Sequence, residues 1–127
     1  MAKGYQANKD RQQELALFGK QLAKRAGFAC EWCGSKDDLR TWDSAPNQEI
    51  EAENLALLCS RCRFLAEGGK GDEQELYALR NALWSDLPAV AGGAAQVLAR
   101  HRVSWAREAI EESLLPDELK QKLVQGL

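Results

Sequence analysis

Apolar residues recur at helical spacing near the start of the chain and predict a first amphipathic helix. Asp10 and Gln13 have the spacing of a capping box, so this helix is predicted to begin at Asp10. Gly27 is typical of the residue that follows a helix and would end it just before the first cysteine. The apolar stripe of this helix consists of Leu15, Phe18, Leu22 and Ala26. One face of the helix is therefore expected to pack on a core.

The middle of the chain predicts a small β-hairpin followed by a short helix. Residues 39–42 have the pattern of one strand, and residues 54–58 form an apolar run that is too short to assign to helix or strand from its pattern alone. A second helix is predicted to begin within residues 59–62 and to carry Phe64 and Leu65. The glycine-rich residues 68–71 would end it.

The second half of the chain predicts helices only. Asp72 and Glu75 form another capping box, which precedes a helical stripe. Pro88 fits the first turn of a further helix, and the adjacent Gly92 and Gly93 are expected to be the weak point of that helix. Two more helices are predicted near residues 104–114 and from residue 116 onward. The stripe after the capping box consists of Leu76, Leu79 and Leu83.

Four cysteines, arranged as two CxxC pairs, are the clearest chemical signal. Cys30 and Cys33 form the first pair, and Cys59 and Cys62 form the second. Two such pairs suit one tetrahedral zinc ion with four thiolate ligands, because each short CxxC turn presents two sulfurs to the same ion. A site filled by four cysteines leaves no open position for water, so the predicted cofactor is one structural Zn²⁺.

The alternatives for these cysteines are a disulfide pair, a redox dithiol and an iron–sulfur cluster. The N-terminal residues have no apolar segment typical of a signal peptide, and no apolar run is long enough to span a membrane. These observations predict a cytoplasmic protein. In a reducing cytosol, paired cysteines favour metal binding over disulfides.

The zinc ligands and the helical patterns together predict a mainly α fold with a small β-hairpin, in the α+β class. Residues 1–71 are expected to form a zinc-binding region with an N-terminal helix, and residues 72–127 a helical region packed on it. A length of 127 residues is ordinary for a single domain, so the two regions are expected to form one compact unit.

The charge distribution is compatible with a weakly basic surface near the cysteines. The formal net charge is −2, unlike that of a strongly basic nucleic-acid-binding protein. The predicted basic patch consists of Lys20, Lys24, Arg25, Arg61 and Arg63, which precede the first cysteine pair or flank Cys62. These residues could contact phosphate groups, or they could neutralise the negative charge of a zinc–thiolate cluster.

The only histidine and the tryptophans have more ordinary interpretations than catalysis or base stacking. His101 lies between two arginines, far along the chain from the cysteines, and is expected on a helix surface or at a helix C-terminus. Helical spacing predicts that Trp84 and Trp105 pack in the core. Trp32 and Trp42, in the first cysteine pair and the hairpin, are expected to be partly exposed.

The segment 24–64 resembles the HNH endonuclease scaffold, a treble-clef ββα zinc fold. The resemblance lies in Lys24-Arg25, Cys30-x-x-Cys33-Gly34, Leu39, Pro46 and Asn54-Leu-Ala-Leu-Leu-Cys59-x-x-Cys62. The family's nuclease chemistry implies an acid–histidine pair at Trp42 and Asp43, an asparagine at Asn54 and a histidine at Arg63. Only Asn54 matches. An arginine cannot ligate a cation because it stays protonated, so the resemblance implies a degenerate catalytic site.

Residues 11–98 resemble the N-terminal zinc-binding region of the PhnA family, which is named for an alkylphosphonate-uptake operon. The matching segments are Phe18-Gly-Lys-Gln-Leu-Ala-Lys-Arg25, Cys30-Glu-Trp-Cys33-Gly34, Leu57-Leu-Cys-Ser-Arg-Cys62 and Leu83-Trp-Ser-Asp-Leu-Pro-Ala-Val90. The family name implies an accessory role in phosphonate metabolism.

These observations favour a small, non-catalytic zinc protein that binds a nucleic acid or a protein partner. One alternative is a divergent metal-dependent HNH-type nuclease that uses Asp43, Asn54 and a further acid. Another is an accessory protein linked to phosphonate metabolism. No membrane and no small-molecule substrate are predicted as partners.

Overall fold

The computed structural model describes residues 2–125 and 127, with side chains described from residue 10 onward, and has a mainly helical fold. The α-helices are α1 (Ala2–Leu17), α2 (Gly19–Arg25), α3 (Ser60–Ala66), α4 (Glu73–Ala78), α5 (Pro88–His101), α6 (Ala106–Glu112) and α7 (Asp117–Val124). Two 3₁₀ segments span Ala52–Asn54 and Leu79–Trp84, and the strands are β1 (Arg40–Asp43) and β2 (Leu55–Leu58). The predicted fold class, mainly α with one small hairpin, is confirmed.

Strand β2 lies between two helical layers, which explains its uniformly apolar sequence. It pairs antiparallel with β1, with Arg40 opposite Leu58 at one end and Asp43 opposite Leu55 at the other. Successive side chains of a strand point to opposite faces. Leu55 and Leu57 pack with Leu22 of α2, whereas Ala56 and Leu58 belong to the larger core that contains α5. Because both faces are covered, all four residues are buried.

The N-terminal helix differs from its prediction at its start and in its middle. Helix α1 begins at Ala2, so Asp10 lies inside the helix and the predicted capping-box start is wrong. A capping sequence marks a helix start only where the preceding backbone is not helical. Helix α2 begins after Phe18 and is followed by Gly27 in the left-handed conformation, with φ of +65°, as predicted. The predicted stripe faces the smaller core formed with Leu55 and Leu57.

Helix α5 is the central element of the second half. It contacts β2, α3, α6, α7 and both 3₁₀ segments. It runs without interruption through Gly92 and Gly93, the pair expected to be its weak point. A Cβ on Gly93 would lie 2.6 Å from Trp32 Cζ2 and 2.8 Å from Trp42 Cζ3. Glycine at this position therefore lets two tryptophans from the first half approach the helix backbone.

The other predicted helices of the second half are found with small changes. The capping box of α4 is present, since Asp72 and Glu75 each accept a hydrogen bond from the other's backbone N–H. Pro88 opens α5 in its first turn. The leucine stripe of α4 is buried but continues into a 3₁₀ segment that begins at Leu79. None of the helices described for residues 2–125 is long and apolar enough to cross a membrane.

Candidate metal centre

The two cysteine pairs converge from separate parts of the chain. Cys30 and Cys33 lie in the turn between α2 and β1. Cys59 is the N-cap residue of α3, and Cys62 lies in the first turn of that helix. Hairpin β1–β2 connects the two pairs, so its register determines how closely they approach.

The four sulfurs have the spacing of a tetrahedral metal site. All four lie within 4.8 Å of one another, and Cys33 Sγ is 3.6 Å from Cys59 Sγ. Sulfurs at about 2.3 Å from a central zinc ion would lie about 3.8 Å apart at the corners of a regular tetrahedron. The observed spacing is close to this value, whereas a disulfide requires about 2.05 Å between sulfurs, and all four cysteines are free. The donor set therefore fits a metal ion.

Backbone hydrogen bonds shape both cysteine turns. Gly34 N–H donates to Cys30 C=O at 2.9 Å, and Cys30 N–H donates to Ser35 C=O at 2.7 Å. Gly34 has φ of +82°, which glycine adopts at no steric cost. In the second turn, Cys62 N–H points at Cys59 Sγ at 3.5 Å. These contacts fix the backbone of both turns and so hold the thiols in position.

Several thiolates in this cluster are unfavourable unless a cation is bound. A hydrogen bond with the Cys62 side chain lowers the pKa of Cys30 to about 5. The same hydrogen bond, together with burial and the neighbouring cysteines, raises the pKa of Cys62 far above the ordinary thiol value. Burial raises the pKa of Cys33 to about 11. Cys30 is thus available as a thiolate at neutral pH, whereas Cys33 and Cys62 need a nearby cation to ionise.

Arg25 is a structural clamp beside the cluster. Its guanidinium donates to both carboxylate oxygens of Glu31, at 3.0 and 2.6 Å, and to the carbonyl oxygens of Ala52 and Leu55, at 2.9 and 2.7 Å. Glu31 Oε1 also accepts a hydrogen bond from Leu57 N–H at 2.9 Å. This network ties α2 and the first cysteine turn to β2. Arg25, a member of the predicted basic patch, therefore stabilises the fold through contacts within the protein.

Arg61 and Arg63 are also paired with carboxylates. Arg61 makes two hydrogen bonds to Glu75, at 2.6 and 2.9 Å, and its guanidinium lies 4.9 Å from the Phe64 ring centroid. The pKa of Arg61 is raised mainly by this Glu75 contact and, less strongly, by the Asp72 charge. Arg63 donates to the Asp38 carboxylate at 2.8 Å and to its carbonyl at 2.7 Å.

The two lysines of the predicted patch differ from its arginines. Lys20 and Lys24 are exposed on the surface of α2. No hydrogen bond or ion pair from either side chain is found among the described residues. The structure therefore divides the patch into three paired arginines and two solvated lysines.

The positions that correspond to HNH catalytic residues do not form one cleft. Asp43 ends β1 and makes an ion pair with Arg11 at 2.8 Å, beside Asn54, whose carbonyl accepts a hydrogen bond from Ser44 N–H at 3.0 Å. Arg63 instead contacts Asp38, which precedes the opposite end of the same strand. Trp42 packs edge-on against Trp32, with ring centroids 5.4 Å apart. Asp43 and Asn54 lie close together, and Arg63 does not join them.

Two tryptophans differ from their sequence-based expectations. Trp84 is 55% exposed, because the 3₁₀ geometry after Leu79 turns it away from the helical stripe. Trp32 is only 3% exposed, because Gly93 gives it room against α5.

His101 ends α5, as predicted, and accepts a hydrogen bond from Gly71 N–H through Nε2 at 3.1 Å.

Sequence reasoning missed Glu31 as a key residue of the site. The glutamate lies within the Cys-x-x-Cys turn, and an acid between two predicted ligands could have pointed to a partner such as Arg25. Comparison of the chain with models of known protein families, with curated proteins and with solved structures gave no match. Among the described residues, the four cysteines are the only group of three or more potential ligands with metal-site spacing. Functional assignment therefore depends on this donor set and its surroundings.

Proposed function

We propose that the protein is a non-catalytic binding module whose fold is held by one structural Zn²⁺ ion. The observation that carries the proposal is the near-tetrahedral spacing of the sulfurs of Cys30, Cys33, Cys59 and Cys62. Four soft thiolates suit zinc and leave no open coordination position for a substrate or water. The ion would join the turn before β1 to the start of α3, two segments that are also connected by the β1–β2 hairpin and by the Arg63–Asp38 and Ser60–Asp37 contacts.

The order of elements supports a treble-clef arrangement, as the HNH resemblance implies. A cysteine turn, a two-stranded hairpin and a helix that begins with the second cysteine pair follow one another along the chain. In this proposal the zinc frame is retained and the nuclease centre is absent, because Trp42 and Arg63 replace the residues that nuclease chemistry requires.

Elemental analysis of purified wild-type protein tests the zinc site. The expected result is about one zinc per chain and no zinc in Cys59→Ser. Ser60→Ala is the matched control, since Ser60 is adjacent to Cys59 and the one hydrogen bond of its hydroxyl among the described residues goes to Asp37 at the surface. Iron with a visible absorption band would favour a cluster instead. A folded wild-type protein that contains no metal would contradict the proposal.

A nucleic acid is the partner class that Lys20 and Lys24 favour. Both lysines are exposed on α2, and Arg61 is a half-exposed cation beside the second cysteine pair. Binding would be weak, roughly 10⁻⁴ to 10⁻⁶ M, and would fall steeply with added salt because it depends on phosphate contacts. The acidic partners of the arginines would limit it further.

Gel-shift titrations of DNA and RNA at low salt test this partner. The triple variant Lys24→Ala, Arg61→Ala and Arg63→Ala should bind more weakly and with a flatter salt dependence. Lys122→Ala is the control, because Lys122 is an exposed lysine on α7. If the wild-type protein shifts neither nucleic acid, a protein partner is the better assignment.

The nuclease alternative predicts metal-dependent cleavage, and our proposal predicts none. Supercoiled DNA incubated with Mg²⁺, Mn²⁺, Ni²⁺ or Zn²⁺ should remain intact. Cleavage that is lost in Asn54→Ala would establish the alternative, since Asn54 is the one matching position. A role in phosphonate metabolism rests on the PhnA resemblance alone.

A further inference from the structure

A second site lies in the helical half and uses none of the cysteines. A cavity of about 460 Å³ opens between the first turns of α4 and the connection from α5 to α6. Its lining residues are Glu73, Gln74, Tyr77, Val103, Ser104 and Trp105. The cavity is within the size range of small-molecule sites and contains two aromatic side chains and one carboxylate.

The two aromatic rings form a corner. The centroids of Tyr77 and Trp105 are 5.8 Å apart, and the ring planes meet at 80°. A flat ligand, such as a nucleic-acid base, could stack on only one of two perpendicular rings. A rounded cation can contact both rings, and the negative potential of aromatic faces attracts it.

The carboxylate of Glu73 adds negative charge on the same side. Glu73 and Tyr77 are four residues apart on α4 and therefore share a helix face. Among the described residues, no cation forms an ion pair with Glu73. The Arg80 guanidinium lies 6.0 Å from the Tyr77 ring centroid and already makes a cation–π contact with that ring. Arg102 and Arg107 line the adjoining cavity rather than this one.

From this arrangement we propose that the Tyr77–Trp105 corner binds a quaternary or methylated ammonium group. Methylation removes N–H donors that water would otherwise satisfy, so such a group loses little hydration when it enters an aromatic corner. Glu73 balances its single positive charge. The group can belong to a free small molecule or to a methylated lysine side chain, and both present the same chemistry to the rings.

Calorimetric titration of the full-length protein with choline, compared with its uncharged isostere 3,3-dimethylbutan-1-ol, tests the proposal. Choline should bind about two- to thirtyfold more tightly, which is the range expected for a cation–π contribution. Equal affinities would show an apolar cavity only and would overturn the proposal. Absence of choline binding at millimolar concentration would also overturn it.

Substitutions test whether choline binds at the Tyr77–Trp105 corner. Tyr77→Leu and Trp105→Leu should each weaken choline binding at least severalfold, and Tyr77, which is 58% exposed, can be replaced with little risk to folding. Glu73→Gln should weaken it less. Arg80→Gln should strengthen it, because a competing cation is removed. Trp84→Leu, which changes an exposed tryptophan outside the cavity, should have no effect, and a loss of binding there would contradict the assignment.

A second titration distinguishes the two sources of the group. A short peptide with one trimethyllysine is compared with the same peptide carrying unmodified lysine and with choline. Tighter binding of the methylated peptide than of choline supports a protein tail as the source, and the reverse order supports a free small molecule. Equal binding of methylated and unmodified peptides would contradict recognition of the methyl groups. The cavity and the cysteine cluster share no residues, so loss of choline binding in Tyr77→Leu with unchanged zinc content would separate this proposal from the proposed metal site.

Discussion

Residues 25–63 are held together by ion pairs and a cysteine cluster, whereas α5 and its neighbours are held by close packing of small apolar side chains. The first region contains the Arg25–Glu31 and Arg63–Asp38 pairs. In the second, α5 buries alanine, glycine, valine and leucine side chains over most of its length. Directional polar interactions need specific partners at fixed distances, while apolar burial depends mainly on shape and area. The stability of residues 25–63 should therefore depend more on the charge and hydrogen-bonding groups of their side chains. The stability of α5 and its neighbours should depend more on side-chain volume.

Two of the contacts between these regions make the comparison testable. Trp32 and Trp42 from the first region pack over Gly93 of α5. Arg61 from α3 pairs with Glu75 of α4. Perturbations can therefore be directed at one region, at the other, or at the connection between them.

Removal of zinc should have the largest effect and should act unequally on the two regions. Structural zinc contributes on the order of 10–16 kcal/mol of apparent binding free energy in small peptides. After treatment with a strong chelator, amides of β1, β2 and α3 should lose hydrogen-exchange protection before those of α5–α7, as measured by NMR or mass spectrometry. Restoration by added zinc is the control. Simultaneous loss of protection in both regions would show that they unfold as one unit.

Loss of the Arg25 clamp should have the next largest effect. The Glu31 side chain is 8% exposed, so Arg25→Met would leave a buried carboxylate without its partner. The expected cost is about 3 kcal/mol in the free energy of unfolding, measured with urea. Arg61→Met removes a more exposed ion pair, which solvent screens, and should have a much smaller effect.

A double variant shows whether the cost comes from the buried charge. Arg25→Met combined with Glu31→Gln should recover part of the lost stability, because the unpaired carboxylate is removed. Equal losses of unfolding free energy in Arg25→Met and Arg61→Met would show that burial does not distinguish the Arg25–Glu31 and Arg61–Glu75 ion pairs.

Two adjacent glycines provide a matched test of packing at the connection between the regions. Gly93→Ala places a Cβ 2.6 Å from Trp32 and should destabilise the protein by about 1–3 kcal/mol through overpacking. At Gly92 the nearest side-chain atom, from Leu119, is 3.8 Å away. Gly92→Ala should therefore stabilise the protein by up to about 1 kcal/mol, since alanine favours helices. Urea unfolding of both variants measures the difference, and the same sign for both would contradict the packing argument.

The smallest effect should come from protonation of a surface carboxylate. The hydrogen bond with Arg63 holds the pKa of Asp38 below its ordinary value. Because the pKa of Asp38 is lower in the folded state, its ionised form stabilises the protein fully at pH values above the unfolded-state pKa, near 4. This contribution is lost as the pH falls through the folded-state pKa. Carboxyl-carbon NMR titration should show Asp38 titrating below an ordinary aspartate. In Arg63→Ala its pKa should rise, and an unchanged value would contradict this assignment.

Local sequence signals predicted the metal ligands and most helix boundaries in the second half. The CxxC turns, the Asp72–Glu75 capping box and Pro88 each specify a local geometry within a few residues. The structure contains all three features. Such signals are readable because the interactions that define them are formed between near neighbours in the chain.

The apolar run at residues 55–58 shows what a pattern cannot decide. Every residue in it is buried, so neither a period of two nor a period of 3.6 is visible in the sequence. Its assignment to a strand follows from pairing with β1 and from coverage by α2 on one face and α5 on the other. Only the tertiary structure supplies these neighbours.

The sequence by itself determined that two short CxxC turns would each present a pair of thiols, because the spacing within each pair is a local property. The β1–β2 hairpin then brought the two pairs together at one site. The tertiary structure decided which charged and aromatic residues are free to bind a partner. It pairs Arg25, Arg61 and Arg63 with carboxylates, buries Trp32 over Gly93 and places Trp105 against Tyr77. These outcomes depend on contacts between residues far apart in the chain, and composition and periodicity carry no information about such contacts.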